Sequence, residues 1–292
     1  MADLSGRVAI ITGGGRGMGR EMALAFARAG AAGITVTSAA SPDEIAATAA
    51  ELDAIAGRPC GLAVCADVAD TQACERAVAE TVERFGRLDI LVNNAGKGMR
   101  EVREGRDPFW KNDVGAWLSV IETNVNGPFL MSRAAAPHMV AAGFGRIINV
   151  SKTAQSMIGA ANSPYGPSKA ALDAMTLIWA QDLDGTGVTV NCLLPGGLTD
   201  TTFSRPTAVP RARAAGRPVY DPADMGPPAL WLASEDSAAY TGCRFNAARW
   251  DAARTPAEAA EGAREVPIFA QPKRGCAIAA AWRPPGARTE TP

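Results

Sequence analysis

The feature that most limits this chain is alternation. Short runs of Val, Ile and Leu recur between longer amphipathic stretches from residue 7 to residue 195. "RVAIIT" (7–12), "ITVTS" (34–38), "GLAVCADV" (61–68), "LDILVNNAG" (88–96), "RIINVS" (146–151) and "VTVNCLLP" (188–195) read as strands. They are apolar almost throughout, as strands are when both faces of a sheet are covered. Residues 17–31, 41–57, 70–86, about 113–142 and 164–184 carry helical spacing instead. In the first of these, Met22, Leu24, Ala25 and Phe26 are expected to face inward. The second opens on Ser41 and Pro42, has acids in its first turn and ends at Gly57, the signals of a capped helix. Strands that alternate with helices form βαβ units and a parallel sheet. The expected fold class is therefore α/β: a Rossmann-like doubly wound parallel sheet in three layers, as a single domain.

Past residue 195 the pattern weakens. Residues 199–222 are rich in Pro, Arg, Ala and Thr without a period and read as a mobile loop. Residues 222–236 suggest a helix broken by Pro227 and Pro228. The expected division is one main domain over 1–250 and a partly irregular C-terminal extension over 251–292. In that extension "TPAEAAEGA" offers a helical turn, and the last twenty residues look like a loosely ordered tail.

Composition excludes several function classes. The net charge is −1, so bulk electrostatics draws the chain to neither nucleic acid nor anionic membrane. No apolar run approaches the ~20 residues that span a bilayer. The N-terminus enters a strand-like run almost directly, with no signal-peptide core. The six cysteines form no CxxC pair, and His138 is the only histidine. No metal site is expected, reduced thiols of the cytoplasm are, and a Ser-His-Asp hydrolase would have to use that one histidine.

The chemistry gathers at the carboxyl ends of the strands, where doubly wound sheets bind ligands. "TGGGRGMG" (12–19) joins the first strand to the first helix. Gly13, Gly17 and Gly19 have G-x-x-x-G-x-G spacing, which lets a pyrophosphate approach backbone N–H groups at a helix N-terminus. Asp67, next to Val68, ends the third strand and is placed to accept from an adenine amino group. Asn94, Ala95 and Gly96 follow the fourth strand, where backbone should pass close to a ligand. Tyr165 and Lys169 stand four apart at a helix start and so share one face.

In this order and at these spacings, the residues Thr12-Gly13-x-x-x-Gly17-x-Gly19, Asp67, Asn93-Asn94-Ala95-Gly96, Asn124, Tyr165-x-x-x-Lys169 and Pro195-Gly196 resemble the short-chain dehydrogenase/reductase family over roughly residues 5–245. The resemblance implies an NAD(P)-dependent oxidoreductase passing hydride between a nicotinamide and an alcohol or carbonyl. Tyr165 would be the acid/base, with Lys169 lowering its pKa and bonding the nicotinamide ribose. Asn124, in a kinked helix, would hold a water joining that lysine to solvent. The cofactor would lie along Gly13, Gly17, Met18, Gly19, Asp67, Val68, Asn94, Ala95, Gly96, Tyr165, Lys169, Pro195 and Gly196. A sensor or scaffold without turnover, or a lyase or epimerase on the same fold, are the alternatives; the presence of both Tyr165 and Lys169 weighs against the first.

Two departures stand out. The family's catalytic serine usually lies thirteen residues before the tyrosine, and here that place is Lys152. Ser151 is the chosen hydroxyl, Thr153 its close rival, Ser156 further off, and the Lys152 ammonium a third solution. The family's closing Val-Asp-Gly-Gly turn is also replaced, by "TGCRFNAARWD", so the last strand is expected without its turn. The second strand carries no acid at its end, while Arg16 sits in the glycine loop and Thr37 and Ser38 offer hydroxyls. These favour NADP, with NAD possible. The substrate would be a small alcohol or ketone beneath loop 199–225, with Phe203, Val209 and Tyr220 as apolar contacts. A homodimer or homotetramer is expected through Trp117, Val120, Ile121, Met175, Ile178 and Trp179 on the outer faces of the two long helices.

Overall fold

A computed structural model describes residues 2–102 and 108–269. Its single sheet is built from β1 (Val8–Thr12), β2 (Gly33–Ser38), β3 (Gly61–Cys65), β4 (Ile90–Asn93), β5 (Gly145–Val150), β6 (Val188–Leu194), β7 (Arg244–Asn246) and β8 (Arg264–Glu265). The order is β3-β2-β1-β4-β5-β6-β7-β8. All pairs are parallel except β7 with β8. The chain winds outward one way from β1 to β3 and the other way from β4 on, so the switch point lies between β1 and β4. β1, β4, β5 and β6 are buried along their whole length, which is why their sequences are mostly apolar, with buried polar exceptions such as Asn93, Arg146, Asn149, Thr189 and Asn191.

Helices cover both faces. α1 (Gly17–Arg28) and α2 (Pro42–Ala56) pack on one side through Met22, Phe26, Ile45 and Leu52. Ala25, expected inward with them, is only half-buried. α3 (Thr71–Phe85) packs on the other side through Cys74 and Val78. Gly57 ends α2 at φ 65°, in the left-handed region its sequence signal implies.

The helix expected over 113–142 is two helices. α4 (Val114–Ile121) runs into a π-helical turn, Glu122–Asn126, and α5 (Gly127–Ala141) follows. A Cβ on Gly127 would stand 2.7 Å from Val68 Cγ2, so the glycine admits the close approach of α5 to the end of the third strand's loop. α6 (Ala154–Met157) is a single turn, and α7 (Tyr165–Asp182) is the longest helix described.

Three readings of the later chain change. The stretch read as a mobile loop contains α8 (Ala208–Ala214), held down by buried Val209 and Ala212. Pro227 and Pro228 do not break a helix: they open α9 (Gly226–Ala233), where a missing N–H costs no bond. α9 joins α1 and α2 in one core through Ala229, Trp231 and Leu232. "TPAEAAEGA" forms α10 (Pro256–Ala263), opened by a capping box between Thr255 and Glu258. β7 forms within "TGCRFNAARWD", where a last strand was expected, and pairs parallel with β6. The expected tail lies outside the described residues, as do 103–107 of the irregular stretch 97–112. Among the described residues, no helix is long and apolar enough to cross a membrane.

Candidate active site

β1 delivers the chain to the glycine turn at the switch point. The Thr12 hydroxyl accepts from the backbone N–H groups of Asn94 and Ala95, each at 3.0 Å. The Asn94 amide donates back to the carbonyls of Thr12 (2.9 Å) and Gly13 (3.1 Å). The two turns that end β1 and β4 are thus bolted together. A Cβ on Gly19 would stand 2.3 Å from the Gly13 carbonyl oxygen, so only glycine lets α1 start this close. Gly17 takes φ +54° where α1 begins. Arg16 precedes it as the N-cap, and no side chain caps the helix. The first amides of α1, at Gly17 and Met18, keep the unsatisfied N–H groups that favour an anion. This fits the pyrophosphate of a dinucleotide.

The remaining cofactor candidates ring the same edge of the sheet. Arg16 pairs with Glu44 at 3.1 Å, and the two side chains are 53% and 40% exposed. Glu44, in the first turn of α2, is an acid the sequence reading did not credit to this corner. Ser38 Oγ accepts from the Ser41 N–H at 3.2 Å. Asp67 is exposed and accepts from the Ala69 N–H at 3.0 Å, the role of a turn aspartate. Pro195 and Gly196 turn the chain after β6, with Gly196 at φ +85°. Thr199, close behind, has a buried hydroxyl with no hydrogen-bond partner. Sequence reading left it in the mobile loop; an orphaned donor beside the Pro-Gly turn fits a polar group on the cofactor.

Tyr165 is the first residue of α7 and Lys169 lies one turn on. Lys169 is 5% exposed, and its ammonium donates to the Val150 carbonyl at 2.7 Å. That ammonium lies 6.0 Å from the centroid of the Tyr165 ring. At the tyrosine it is burial, and not the lysine, that sets the direction of the shift. Burial pushes the Tyr165 phenol up to about 12. Burial likewise pulls Lys169 down to about 8, which the Lys152 cation reinforces. Phe203 covers the tyrosine, with ring centroids 5.8 Å apart. Of the three expected apolar contacts it alone reaches Tyr165; Val209 is buried in α8, and Tyr220 packs over Gly197.

Asn124 lies in the π-helical turn and is fully buried. Its carbonyl accepts from the Lys97 N–H at 2.8 Å, and its amide donates to the Lys97 carbonyl at 2.9 Å and to Ser168 Oγ at 3.1 Å. It ties the turn after β4 to the helix of the tyrosine.

The three residues that compete for the serine's place separate. The Ser151 hydroxyl is 2.5 Å from Asp173 Oδ1, inside the core. Asp173 is ion-paired with buried Arg244, whose Nη2 also donates to the Lys152 carbonyl at 2.9 Å. The Ser151 hydroxyl donates its hydrogen bond to the core carboxylate and, among the described residues, forms none to Tyr165. Thr153 Oγ1 is bonded to Ser156 Oγ at 2.8 Å at the start of α6. Lys152 is the one that faces the tyrosine, with its ammonium 4.6 Å from the ring centroid. The signal for Asp173 was available: Tyr165, Lys169 and Asp173 repeat every four residues along one face of α7.

The family description short chain dehydrogenase matches residues 7–210. The chain belongs to the short-chain dehydrogenase family. A hydroxy(phenyl)methylsuccinyl-CoA dehydrogenase subunit of Thauera aromatica is 35% identical to this dehydrogenase over 243 residues, covering 82% of this chain and 94% of the relative. The crystal structure of a putative short-chain alcohol dehydrogenase from Sinorhizobium meliloti superposes with a TM-score of 0.75 at 32% identity, over 84% of this chain and 96% of the other. A putative NAD(P)-dependent gluconate 5-dehydrogenase of Beutenbergia cavernae, solved with NADP at low occupancy, has a TM-score of 0.73 at 30% identity, over 84% and 96%. Short-chain dehydrogenases use nicotinamide cofactors and act on small molecules, and the glycine turn and uncapped α1 suit such a cofactor.

Proposed function

We propose that this dehydrogenase transfers hydride between a nicotinamide cofactor, preferably NADP, and a small alcohol or ketone, with Tyr165 as the acid/base. The observation that carries the reading is the meeting of Tyr165 and Lys169 with the glycine turn at one end of the sheet. When bound, the nicotinamide supplies or accepts the hydride. The chain's residues do the rest. The α1 amides and the turn Gly13–Gly19 would hold the pyrophosphate, and Asp67 and Val68 the adenine end. Asn94, Ala95, Gly96, Pro195 and Gly196 shape the wall along which the nucleotide would lie. Tyr165 as the phenol, the form that burial favours, gives its proton to a carbonyl oxygen during reduction, and as the phenolate takes one from the alcohol during oxidation. Lys169 favours the phenolate left behind. Phe203 shields this proton transfer from water. Asn124 fixes the distance between the β4 turn and α7, and a water beside it would link Lys169 to solvent.

The NADP preference rests on Arg16, half-exposed in the glycine turn and paired with Glu44 in the first turn of α2. The chain is expected to work in the cytoplasm as a homodimer or homotetramer. Val114 and Leu118 on α4 and Ile178 on α7 are exposed apolar residues that support pairing of those helices. Val120, expected on that face, is buried instead.

A panel of ketones and alcohols, followed by reduced-cofactor absorbance with NADP and NAD, tests the reading. Tyr165→Phe should lower turnover about 10²–10⁴-fold while the cofactor still binds. Full turnover in Tyr165→Phe would sink it.

A further inference from the structure

Lys152 lies just past β5, between two side chains committed elsewhere. Side chains of successive residues leave an extended strand on opposite sides. Ser151 turns into the core against Asp173, and Lys152 turns to Tyr165. Its backbone is fixed, since Arg244 Nη2 donates to the Lys152 carbonyl at 2.9 Å and the Ser151 N–H donates to the Leu193 carbonyl at 2.9 Å. Its ammonium is held differently from that of Lys169, which has the Val150 carbonyl as an acceptor. No carboxylate, carbonyl or hydroxyl among the described residues accepts from Lys152. Burial draws it down to about 8 with no opposing charge to hold it up. Lys152 is half-buried, so its cation keeps only part of its water shell, and the face of a tyrosine ring recovers only part of what that loss costs. An oxygen carrying negative charge, brought by a ligand to the same spot, recovers the rest.

We infer that Lys152 is a catalytic residue: it donates a charged hydrogen bond to the reacting oxygen of the substrate, in place of a hydroxyl, and the pocket prefers that oxygen as an anion. The inference rests on the oxidoreductase reading above. During reduction the hydride bonds to the carbonyl carbon and the π electron pair moves onto oxygen. Lys152 N–H holds that oxygen as its charge grows. The Tyr165 phenol then gives it a proton, and the phenolate is reprotonated from solvent. Lys152 begins and ends as an ammonium. Charge-assisted hydrogen bonds are roughly twice as strong as neutral ones, so the exchange of hydroxyl for ammonium strengthens the bond most where the oxygen is most negative. Among the described residues, the groups facing Lys152 are Tyr165 and Lys169, with Asp173 and Arg244 beneath its backbone, and none of those described carboxylates neutralises it on the pocket side.

Two measurements test this on the full chain. Para-nitrophenol is colourless when neutral and yellow when ionised, so absorbance reads the charge of a bound phenolic oxygen. Below the pH of its own ionisation, the wild type and Lys152→Arg should bind the yellow form. Lys152→Met and Lys152→Ser should lose that band while keeping the wild-type circular dichroism. With uncharged ketones, Lys152→Met should lower turnover about 10²–10³-fold, and Lys152→Ser should recover most of it. A yellow complex in a chain that reduces no ketone would support Lys152 and sink the oxidoreductase reading. A wild type that binds no anion, or a Lys152→Met variant that binds the yellow form or turns over uncharged ketones as the wild type does, overturns the inference. A residue that only grips a remote substrate carboxylate would give that last result.

Discussion

Ser151→Ala separates a catalytic hydroxyl from a structural one. The Ser151 Oγ donates to the Asp173 carboxylate at 2.5 Å, and Ser151 is 2% exposed. A hydrogen bond to a charged group contributes about 1.5–3 kcal/mol. Asp173 keeps Arg244 as its ion partner and the Cys192 thiol as a weak donor at 3.4 Å, which places the loss toward the lower end. At about 2–4 °C per kcal/mol for a large single domain, a loss near ~1.5 kcal/mol should lower the melting temperature by roughly 3–6 °C. Turnover at saturating substrate should stay within a few-fold, because the hydroxyl never meets the substrate. An oxyanion donor behaves in the opposite way, costing about 10²–10³ in turnover with little change in stability. Thermal unfolding by circular dichroism, beside kcat at a temperature well below both transitions, reads the two effects separately. A hundred-fold loss of kcat at unchanged Tm would refute the reasoning and return the substrate oxygen to Ser151.

Arg16→Ala should weaken NADP binding far more than NAD binding, and Glu44→Gln, which frees Arg16 from its 3.1 Å partner, should tighten NADP; fluorescence titration with both cofactors checks this, and equal losses for both in Arg16→Ala would show that Arg16 does not read the 2′-phosphate. For carbonyl reduction, kcat/KM should fall as pH rises through about 8, since both Lys152 and Lys169 lose their charge there while Tyr165, at about 12, stays protonated. The two lysines feel each other, so the apparent value belongs to the pair, and Lys152→Ser should simplify the limb to one titration. Light scattering at micromolar concentration should find a dimer or tetramer, and Leu118→Glu with Ile178→Glu should shift it toward monomer; a wild-type monomer would contradict the pairing of α4 and α7.

What the sequence made legible follows from how local each signal is. β1, β2, α2 and α3 end within a residue or two of their expected bounds, because apolar runs, Pro42 at the start of α2, the Asp70 cap of α3 and terminal glycines act over a single turn; the Ser41 side chain itself makes no capping bond. The Tyr165–Lys169 pair was legible for the same reason. α8 was not, because its seven residues bury only Val209 and Ala212 and leave no periodic run to see. The break at Glu122–Asn126 does not show in the helical spacing, since a π-helical turn changes the count by only one residue; its signals were Gly127 and Pro128 just beyond it, where the proline has no N–H to give to the Asn124 carbonyl. Counting back from Tyr165 found Lys152, but counting could not say which way three consecutive side chains would leave the strand. That was decided at a distance in the chain, by Asp173 one helix later and Arg244 on the far strand. Once the carboxylate captures Ser151, its successor must face the other side. The identity of residue 152 thereby decides the chemistry of the pocket, and at that position this chain has an ammonium where its relatives' pattern calls for a hydroxyl.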